Sequence, residues 1–176
     1  RWVDKVPVVL QVWYGGQEAG NAIADVLFGD ANPSGKLPCV FPKSAAQLPF
    51  FDPSAEEITY DLYHGYRLLD RQGEEPAFAF GFGLSYTTFR VDGLCVETEP
   101  VSAGDTLRVS AEVRNTGSRA GATVVQLYAG CEASAYDRPV RELKDFRKIT
   151  LQPGEGQRVT FDVPARALAV WDGGWQ

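Results

Sequence analysis

The sequence predicts a mainly β chain, in which an antiparallel β-sandwich follows a partial α/β segment. From about residue 89 onward, apolar and polar residues alternate with the period of two that strands with one buried face require. Before that point, an apolar run, a helical stripe and a second apolar run follow one another. We therefore divide the chain into residues 1–42, the end of an α/β domain, residues 43–88, an aromatic-rich linker, and residues 89–176, the sandwich.

The first segment reads as strand, helix, strand. Residues 6–13 form an apolar run typical of a strand buried on both faces. Gly29 is placed to end the helix that follows, and residues 37–41 form the second strand. The apolar stripe of the helix consists of Ala19, Ala22, Ile23, Val26 and Leu27. One such unit is too small to enclose a core, so it indicates the end of a larger α/β domain.

The linker is irregular and rich in aromatic residues, proline and glycine, and only residues 65–70 read as a strand. A connection of this length normally packs against another part of the protein.

The sandwich contains about six or seven predicted strands. They are residues 90–97, 107–114, 123–129, 140–151, 159–163 and 167–171, separated by turns such as Asn115-Thr116-Gly117. The alternation predicts inward side chains at Val109, Ala111, Val113, Leu127, Val159 and Phe161. It predicts outward side chains at Arg108, Ser110, Glu112 and Arg158.

Charge and composition exclude several classes of function. The net charge is −6, from 17 basic and 23 acidic side chains, and the basic residues form no block. Nucleic acid and anionic membranes are therefore poor candidate partners. Three cysteines, Cys39, Cys95 and Cys131, lie far apart without a CxxC pair, which indicates neither a disulfide framework nor a zinc site. The apolar neighbours of Cys39 and Cys95 predict core positions.

A glycosidase would need two carboxylates that flank the scissile bond. The acidic pairs Glu56-Glu57, Glu74-Glu75 and Glu97/Glu99 lie in polar, turn-like sequence, where we expect them to be solvated. His64, the only histidine, has aromatic neighbours that favour a partly buried structural position. We assign no catalytic, cofactor-binding or metal-binding residue in this chain.

Two further patterns suggest chemistry and have simpler explanations. Residues 29–37 resemble a phosphate-binding loop, but the spacing is wrong and Leu37 stands where Ser or Thr must hold magnesium, so a turn is favoured. Tryptophans can stack on sugar rings, but Trp13 and Trp171 fall within strand patterns that favour core packing. Trp2 and Trp175, near the chain ends, are compatible with either role.

A series of ordered motifs resembles glycoside hydrolase family 3. Residues 11–38 (QVWYGGQEAGNAIADVLFGDANPSGKLP) resemble the end of the family's second, α/β-sandwich domain. Residues 63–67 (YHGYR) and 80–89 (FGFGLSYTTF) look like the segments that follow. Residues 113–117 (VRNTG), 124–128 (VVQLY), 139–146 (PVRELKDF) and 168–172 (LAVWD) resemble its fibronectin type III-like domain.

The resemblance implies a parent enzyme of the β-glucosidase type, which hydrolyses terminal β-linked sugars of oligosaccharides or glycosides with retention and without a cofactor. The family's nucleophilic Asp and its acid/base Glu both lie upstream of the matched motifs, so no catalytic role transfers to this chain. Glu18 is interpreted as a helix-start residue in capping or domain packing. The implied role of the chain is to brace the upstream catalytic domains of the same parent, and the isolated chain is predicted to be inactive.

Two other functions stay open: a module that binds carbohydrate or protein through the sandwich, and a plain spacer. An exposed aromatic strip on a sheet face would favour the binding module. The chain opens at Arg1-Trp2, contains no Met and shows no signal-peptide pattern, so we expect a processed product or an expressed fragment.

Overall fold

The computed structural model describes residues 2–97 and 102–175. This part of the chain contains helices α1 (Ala19–Phe28) and α2 (Tyr66–Gln72) and five strands. Three short 3₁₀ helices span Trp2–Lys5, Ala45–Gln47 and Ala165–Leu168. Within these residues, none of the helices has the length and apolar character needed to span a bilayer.

The five strands form two antiparallel sheets, as the alternation predicts. They are β1 (Phe89–Val96), β2 (Thr106–Asn115), β3 (Gly121–Ala129), β4 (Glu142–Leu151) and β5 (Gly156–Pro164). One sheet has the order β1-β2-β5 and the other pairs β3 with β4. The chain is mainly β, and both sheets contribute side chains to one core.

The predicted register of the sandwich is confirmed at nearly every position. Val113, Val159 and Phe161 are buried in the core together with Val125, Ile149, Leu151 and Val163. Val109 and Ala111 are also buried, and Leu127 packs against the core. Arg108, Glu112 and Arg158 face solvent. Each large apolar side chain buried here stabilises the fold by about 1.5–3 kcal/mol, which is why the register does not slip.

Ser110 is an exception, because it faces away from the core as predicted but is only 1% exposed. Its hydroxyl donates a 2.7 Å hydrogen bond to Glu97 Oε1. Arg158, on the neighbouring strand, contacts the same carboxylate at 3.9 Å. The small Ser110 side chain on the central strand is therefore covered by the longer side chains of Glu97 and Arg158. The period-two pattern predicts which way a side chain points, but it does not predict this cover.

The predicted strand–helix–strand unit does not form. Helix α1 is confirmed, and Gly29, at φ 86°, ends it in the left-handed conformation that suits glycine. Residues 6–13, however, are exposed and lie outside both sheets, and Trp13 takes a positive φ of 53°. Residues 37–41 pair in antiparallel fashion with the later chain, through Leu37 N–Phe82 O at 2.9 Å and the Phe41–Phe78 bridge. A strand needs a neighbour for its amides and carbonyls, and a parallel partner for residues 6–13 is not among the described residues.

Two other predicted strands do not form. Residues 66–70 of the first belong to α2, which follows Gly65 (φ 59°) and is ended by Gly73 (φ 66°). Leu69 is the one buried residue of this helix. The segment therefore forms a helix because of the surface that Leu69 packs against, although the short-range pattern of apolar residues favours a strand. Of residues 167–171, the first two end the 3₁₀ helix Ala165–Leu168, whose Leu168 packs against the core, and Trp171 forms only an isolated bridge with Trp175. The described sandwich therefore has five strands instead of six or seven.

Candidate functional site between the arm and the sandwich

The residues that precede the sandwich, 2–88, are here called the arm, and their contacts with the sandwich form the candidate functional site. The first contact is centred on Asn32, in the turn after α1. Asn32 Nδ2 donates to Ala120 O at 2.9 Å, and Oδ1 accepts from Ser85 Oγ and Tyr86 N, both at 2.8 Å. One amide side chain thus joins the α1 turn, the end of the linker and a sandwich loop.

The C-terminal end of α1 is held by groups from outside the helix. Arg119, from the sandwich, donates from Nη2 to Gly29 O at 2.7 Å. Tyr86 OH donates to Val26 O at 2.7 Å, and the Arg119 guanidinium lies 5.7 Å from the Tyr86 ring. The last carbonyls of a helix lack intrahelical donors, and a cation there interacts favourably with the helix dipole. Arg119 of the sandwich therefore caps a carbonyl at the C-terminal end of α1.

Asn115, fully buried at the end of β2, links this region to the core. Its Nδ2 donates to Arg119 O at 2.8 Å and to Leu151 O at 3.1 Å. Its Oδ1 accepts from Thr87 Oγ1 at 2.8 Å and from Gly117 N at 3.1 Å. All four hydrogen-bonding positions of the amide are used, which is what a buried asparagine requires.

A second contact joins α2 and the linker to the outer side of β3 and β4. Tyr66 stacks on Phe80 with ring centroids 4.9 Å apart and meets Tyr128 edge to face at 6.1 Å. Tyr66 OH accepts a 3.0 Å hydrogen bond from Leu143 N. Burial raises the pKa of Tyr128, whose hydroxyl donates to Gln126 Oε1 at 2.6 Å. A cavity of about 350 Å³ opens beside these rings, but the polar groups around it already pair with one another.

Charged pairs surround the second contact. Arg67 Nη2 lies 2.8 Å from Glu142 Oε1, and Arg141 contacts both carboxylate oxygens of Asp70, at 2.8 and 3.0 Å. The bond to Asp70 raises the pKa of Arg141. The two-oxygen geometry fixes orientation as well as distance, so α2 is set at a defined angle on the sheet.

Tyr63, at the rim, is buried and donates from its hydroxyl to Asp137 Oδ1 at 2.5 Å. That hydrogen bond is the main reason why the pKa of Tyr63 lies above its ordinary value of 10.0. The Arg71 guanidinium lies 3.9 Å from the ring centroid. The rim therefore combines a hydrogen bond with a cation–π contact.

The arm also carries apolar side chains that the described chain leaves exposed, here together called the open face. It consists of exposed side chains in residues 8–14 together with Leu27, Phe28, Phe50 and Phe51. Trp13, predicted in the core, is 51% exposed and touches the ring of Phe41 at a centroid distance of 6.2 Å. An exposed apolar surface of this kind is typical of a face that contacts another protein surface.

The acidic pairs considered in the sequence lie at the surface. Glu56, Glu57, Glu74 and Glu75 are exposed, and so is Glu97, while Glu99 lies outside the described residues. Glu74 accepts a 2.8 Å hydrogen bond from Gln47, and Glu75 lies 3.5 Å from Lys43. Among the described residues no Asp or Glu is buried.

Glu18 stands at the N-cap position of α1, but its carboxylate caps no backbone amide. It accepts a 2.6 Å hydrogen bond from Asn21 Nδ2 instead. His64 is exposed, not partly buried, and its Nδ1 lies 3.2 Å from Asp61 O. Neither residue faces a second titratable group in these contacts.

The cysteine predictions are wrong in part. Cys39 and Cys95 are exposed, as is Cys131, and all three are free. Cys95 lies on edge strand β1, where apolar sequence neighbours do not ensure cover. Within residues 2–97 and 102–175, no three His, Cys, Asp or Glu side chains are grouped as a metal site would require.

Sequence reasoning missed the residues that join arm and sandwich. Asn32, Arg119 and Asn115 lie in turns or beside turn residues, and the local pattern marks Asn115 only as the start of a turn. An Asn followed by Thr-Gly at the end of an alternating strand signals a turn, but it does not signal which distant carbonyls the amide meets.

Comparison with known proteins agrees with this arrangement. Residues 1–86 match the glycosyl hydrolase family 3 C-terminal domain, and residues 123–176 match the fibronectin type III-like domain. The probable β-glucosidase J of Aspergillus fumigatus is 49% identical over 98% of this chain, which spans 21% of that protein. The thermostable β-glucosidase B of Acetivibrio thermocellus is 43% identical over 97% of this chain and 23% of its own length.

A solved structure shares both parts of the fold. β-Glucosidase 3B from Thermotoga neapolitana, in complex with glucose, superposes with a TM-score of 0.91 and 43% identity over 99% of this chain and 25% of that one. The arm and the sandwich together thus define the class of protein: a glycosidase region in which an α/β segment is followed by a fibronectin type III-like domain. The chain belongs to glycoside hydrolase family 3, and it corresponds to the C-terminal region of the family's β-glucosidases. It spans about a quarter or less of the relatives that it matches.

Proposed function

We propose that this chain is the C-terminal part of a retaining, β-glucosidase-like glycoside hydrolase that releases terminal β-linked sugars. In this proposal, residues 1–42 complete the α/β-sandwich domain, residues 43–88 are the linker, and residues 89–176 are the fibronectin type III-like domain. The β-glucosidase relatives across nearly the whole chain support the reaction class.

The chain acts as a brace. The observation that carries this role is the bonding of α1, in the α/β segment, directly to the sandwich through Arg119 and Asn32. The open face on the other part of the arm is where the upstream catalytic domains of the parent would pack. The brace would therefore hold one domain against another through hydrogen bonds and apolar contact.

The chain supplies no catalytic carboxylate in this proposal. Retaining glycosidases use two carboxyl groups about 5–5.5 Å apart, and the acid/base group has a raised pKa that burial commonly provides. The absence of any buried Asp or Glu from the described residues supports this view. The substrate would be held and cleaved by residues upstream of this chain.

A binding module built on a sheet face has less support. Four aromatic residues lie in the described strands, Phe89, Tyr128, Phe146 and Phe161, and only Phe146 is exposed. One exposed ring is not the aromatic strip that such a module needs.

Turnover of an aryl β-glucoside tests the proposal. We expect no hydrolysis by the purified 176-residue chain and hydrolysis by the parent enzyme that includes the upstream domains. A Glu18→Gln variant of the parent should keep the wild-type kcat, because the Glu18 carboxylate accepts a hydrogen bond from Asn21 that a glutamine oxygen can also accept. Turnover by the short chain that disappears in Glu18→Gln would contradict the proposal.

A further inference from the structure

The sandwich carries a groove that reaches its core between β1 and β3, here called the core groove. It has a volume of about 330 Å³ and is lined by residues of β1, β2, β3 and β5. Three buried residues, Val109, Val125 and Phe161, form part of the lining. A packed interior leaves few voids larger than a water molecule, so this groove marks a place where the described sandwich lacks cover.

The side of β1 that faces the core is open. Val91 pairs with Val113, and Val96 pairs with Val109, across the antiparallel ladder. Directly paired residues of neighbouring strands lie on the same side of a sheet, and both partners on β2 are buried. Val91 and Val96 therefore point to the core side as well, yet they are 55% and 42% exposed. The opposite sheet consists of β3 and β4 only, and it does not extend over β1.

The edge of β3 beside the groove is unpaired. β3 pairs with β4 on one side, and the described residues supply no strand on the other side. The described lining includes β3 but no residue of β4, so the groove adjoins this free edge. Alternate residues of an edge strand direct their N–H and C=O groups away from the sheet, where a further strand can bond them.

The chain that leaves β5 leads towards the same edge. Leu168, in the 3₁₀ helix after β5, packs against the core. Arg138, in the loop that joins β3 to β4, donates from Nη2 to Leu168 O at 3.1 Å. The chain has therefore crossed from the three-stranded sheet to the end of the other sheet at which β3 finishes. Arg138 Nε is buried there without a partner among the described residues, and buried donors are normally paired in a complete structure.

The described residues after Leu168 stay at the surface. Trp171 and Trp175 form their isolated bridge around Gly173, whose φ is 68°. Trp171 is 66% exposed, so the prediction that it packs in the core is wrong. None of the described residues after Leu168 lines the core groove. Whatever fills the groove therefore lies outside the described part of the chain.

We propose that the core groove is the docking site of a β-strand that follows residue 176 in the parent chain and adds to the free edge of β3. A segment that passes from Leu168 along β3 runs antiparallel to it, so its backbone bonds the β3 edge and its alternate apolar side chains enter the groove. Neighbouring strands are usually joined by short connections, which favours this source over an upstream segment or a second copy.

The proposal needs a parent longer than this chain, and the chain spans only 21–25% of the relatives described above. It goes beyond the proposed function, because it holds whatever reaction the parent catalyses. With the strand in place, the sandwich is closed at β1 and β3, and Arg138 Nε lies where a carbonyl of the added segment can accept its hydrogen bond.

Overlapping synthetic peptides of roughly 20 residues, each long enough for a strand and its turns, test the proposal. They copy the parent sequence after position 176 and are added to the purified 176-residue chain. We expect one of them to bind, to slow amide exchange in β3 and to raise the unfolding temperature, because a ligand that binds only the folded state stabilises it. Peptides that copy the parent sequence before residue 1 are the control and should leave β3 exchange unchanged.

Leu94→Lys distinguishes binding in the groove from binding elsewhere. Leu94 lines the groove and is 72% exposed, so the isolated chain should fold with lysine at this position. The charge should weaken peptide binding about tenfold or more, because it would be buried under the added strand. Leu84→Lys is the matched control, since Leu84 is 74% exposed, lies in the linker and does not line the groove.

Hydrogen exchange of the parent enzyme gives an independent measurement. The β3 amides should be protected in the parent and exchange faster in the monomeric isolated chain. The proposal is overturned if the parent sequence ends at residue 176, if an upstream peptide or a second copy fills the groove, if no peptide binds, if the two lysine variants bind equally, or if β3 exchanges alike in both proteins. Aryl β-glucoside turnover by the parent is measured in parallel, so any of these results with turnover intact leaves the proposed function standing.

Discussion

At the scale of single residues, the most demanding position is Asn115. Its side chain is fully buried, and its donors and acceptors are used by four groups from three segments: the linker, the β2–β3 loop and β4. The network is local in space and distant in sequence, because Thr87 precedes Asn115 by 28 residues and Leu151 follows it by 36. A change at this position therefore affects the arm and the core together.

Asn115→Ala should lower the free energy of unfolding by about 2–4 kcal/mol, because each buried group left without a partner costs about 1–3 kcal/mol. Urea unfolding followed by circular dichroism measures the change. Ser118→Ala, at an exposed residue of the loop that follows, should stay within about 0.5 kcal/mol of wild type. Equal effects of the two substitutions would show that the buried network does not stabilise the fold.

Tyr63 makes the attachment of the arm dependent on pH. Its folded-state pKa lies above 10.0, because the neutral hydroxyl donates to Asp137. The contribution is fully present below the unfolded pKa and is lost as pH rises through the folded pKa. We expect the free energy of unfolding to fall above about pH 10, and to fall less steeply in Tyr63→Phe.

The control for this titration is Tyr14→Phe, since Tyr14 is fully exposed. It should reproduce the wild-type pH dependence, measured by chemical unfolding at a series of pH values. A Tyr63→Phe profile that matches wild type across this range would mean that the Asp137 hydrogen bond contributes nothing to stability.

At the scale of elements, the arm depends on the antiparallel pairing of residues 37–41 with residues 77–82. Leu37 makes two backbone hydrogen bonds to this segment. Its N–H donates to Phe82 O at 2.9 Å, and its carbonyl accepts from Gly81 N at 2.8 Å. Next to this pairing, Gly83 approaches the backbone of Gly35 so closely that a Cβ on Gly83 would overlap the Gly35 carbonyl oxygen. The close approach places the linker beside the α1 turn, and so lets Ser85 and Tyr86 reach Asn32.

Gly83→Ala should therefore destabilise the arm by about 1–3 kcal/mol, the usual cost of overpacking. Gly35→Ala is a matched control on the other side of the same contact, because a Cβ there meets nothing within 4 Å. Hydrogen exchange of the arm amides measures the difference. Similar exchange in both variants would argue against the close packing described here.

At the scale of the whole molecule, the sandwich and the arm differ in how they are stabilised. The sandwich has a core of its own, built from both sheets. The arm has Tyr63 and Leu69 as its buried hydrophobic side chains among the described residues, and its other contacts are the pairing of residues 37–41 with 77–82 and the bonds to the sandwich. Its open face gains stability only if another surface covers it.

We expect the amides of residues 6–14 in the isolated chain to exchange much faster than those of β2 and β5. In the parent enzyme the same amides should become protected, because upstream domains would cover the open face. Hydrogen exchange with mass spectrometry of both proteins measures this. Light scattering identifies the concentrations at which the isolated chain is a monomer. If residues 6–14 are protected from exchange at those concentrations, the proposed bracing role is contradicted.

The sequence alone determined the five sandwich strands that form, their register, the α1 helix with its Gly29 terminus, and the family. These features depend on short-range periodicity and on the order of the motifs, and both can be identified from the sequence alone. Only the tertiary structure decided that residues 66–70 are helical, that residues 6–13 stay unpaired and that Trp171 is exposed. In each case the outcome depends on which surface lies opposite the segment. The same holds for Asn32, Arg119 and Asn115, since a hydrogen bond between residues 28 to 90 positions apart follows from the packing of the arm on the sandwich, and no local pattern specifies it.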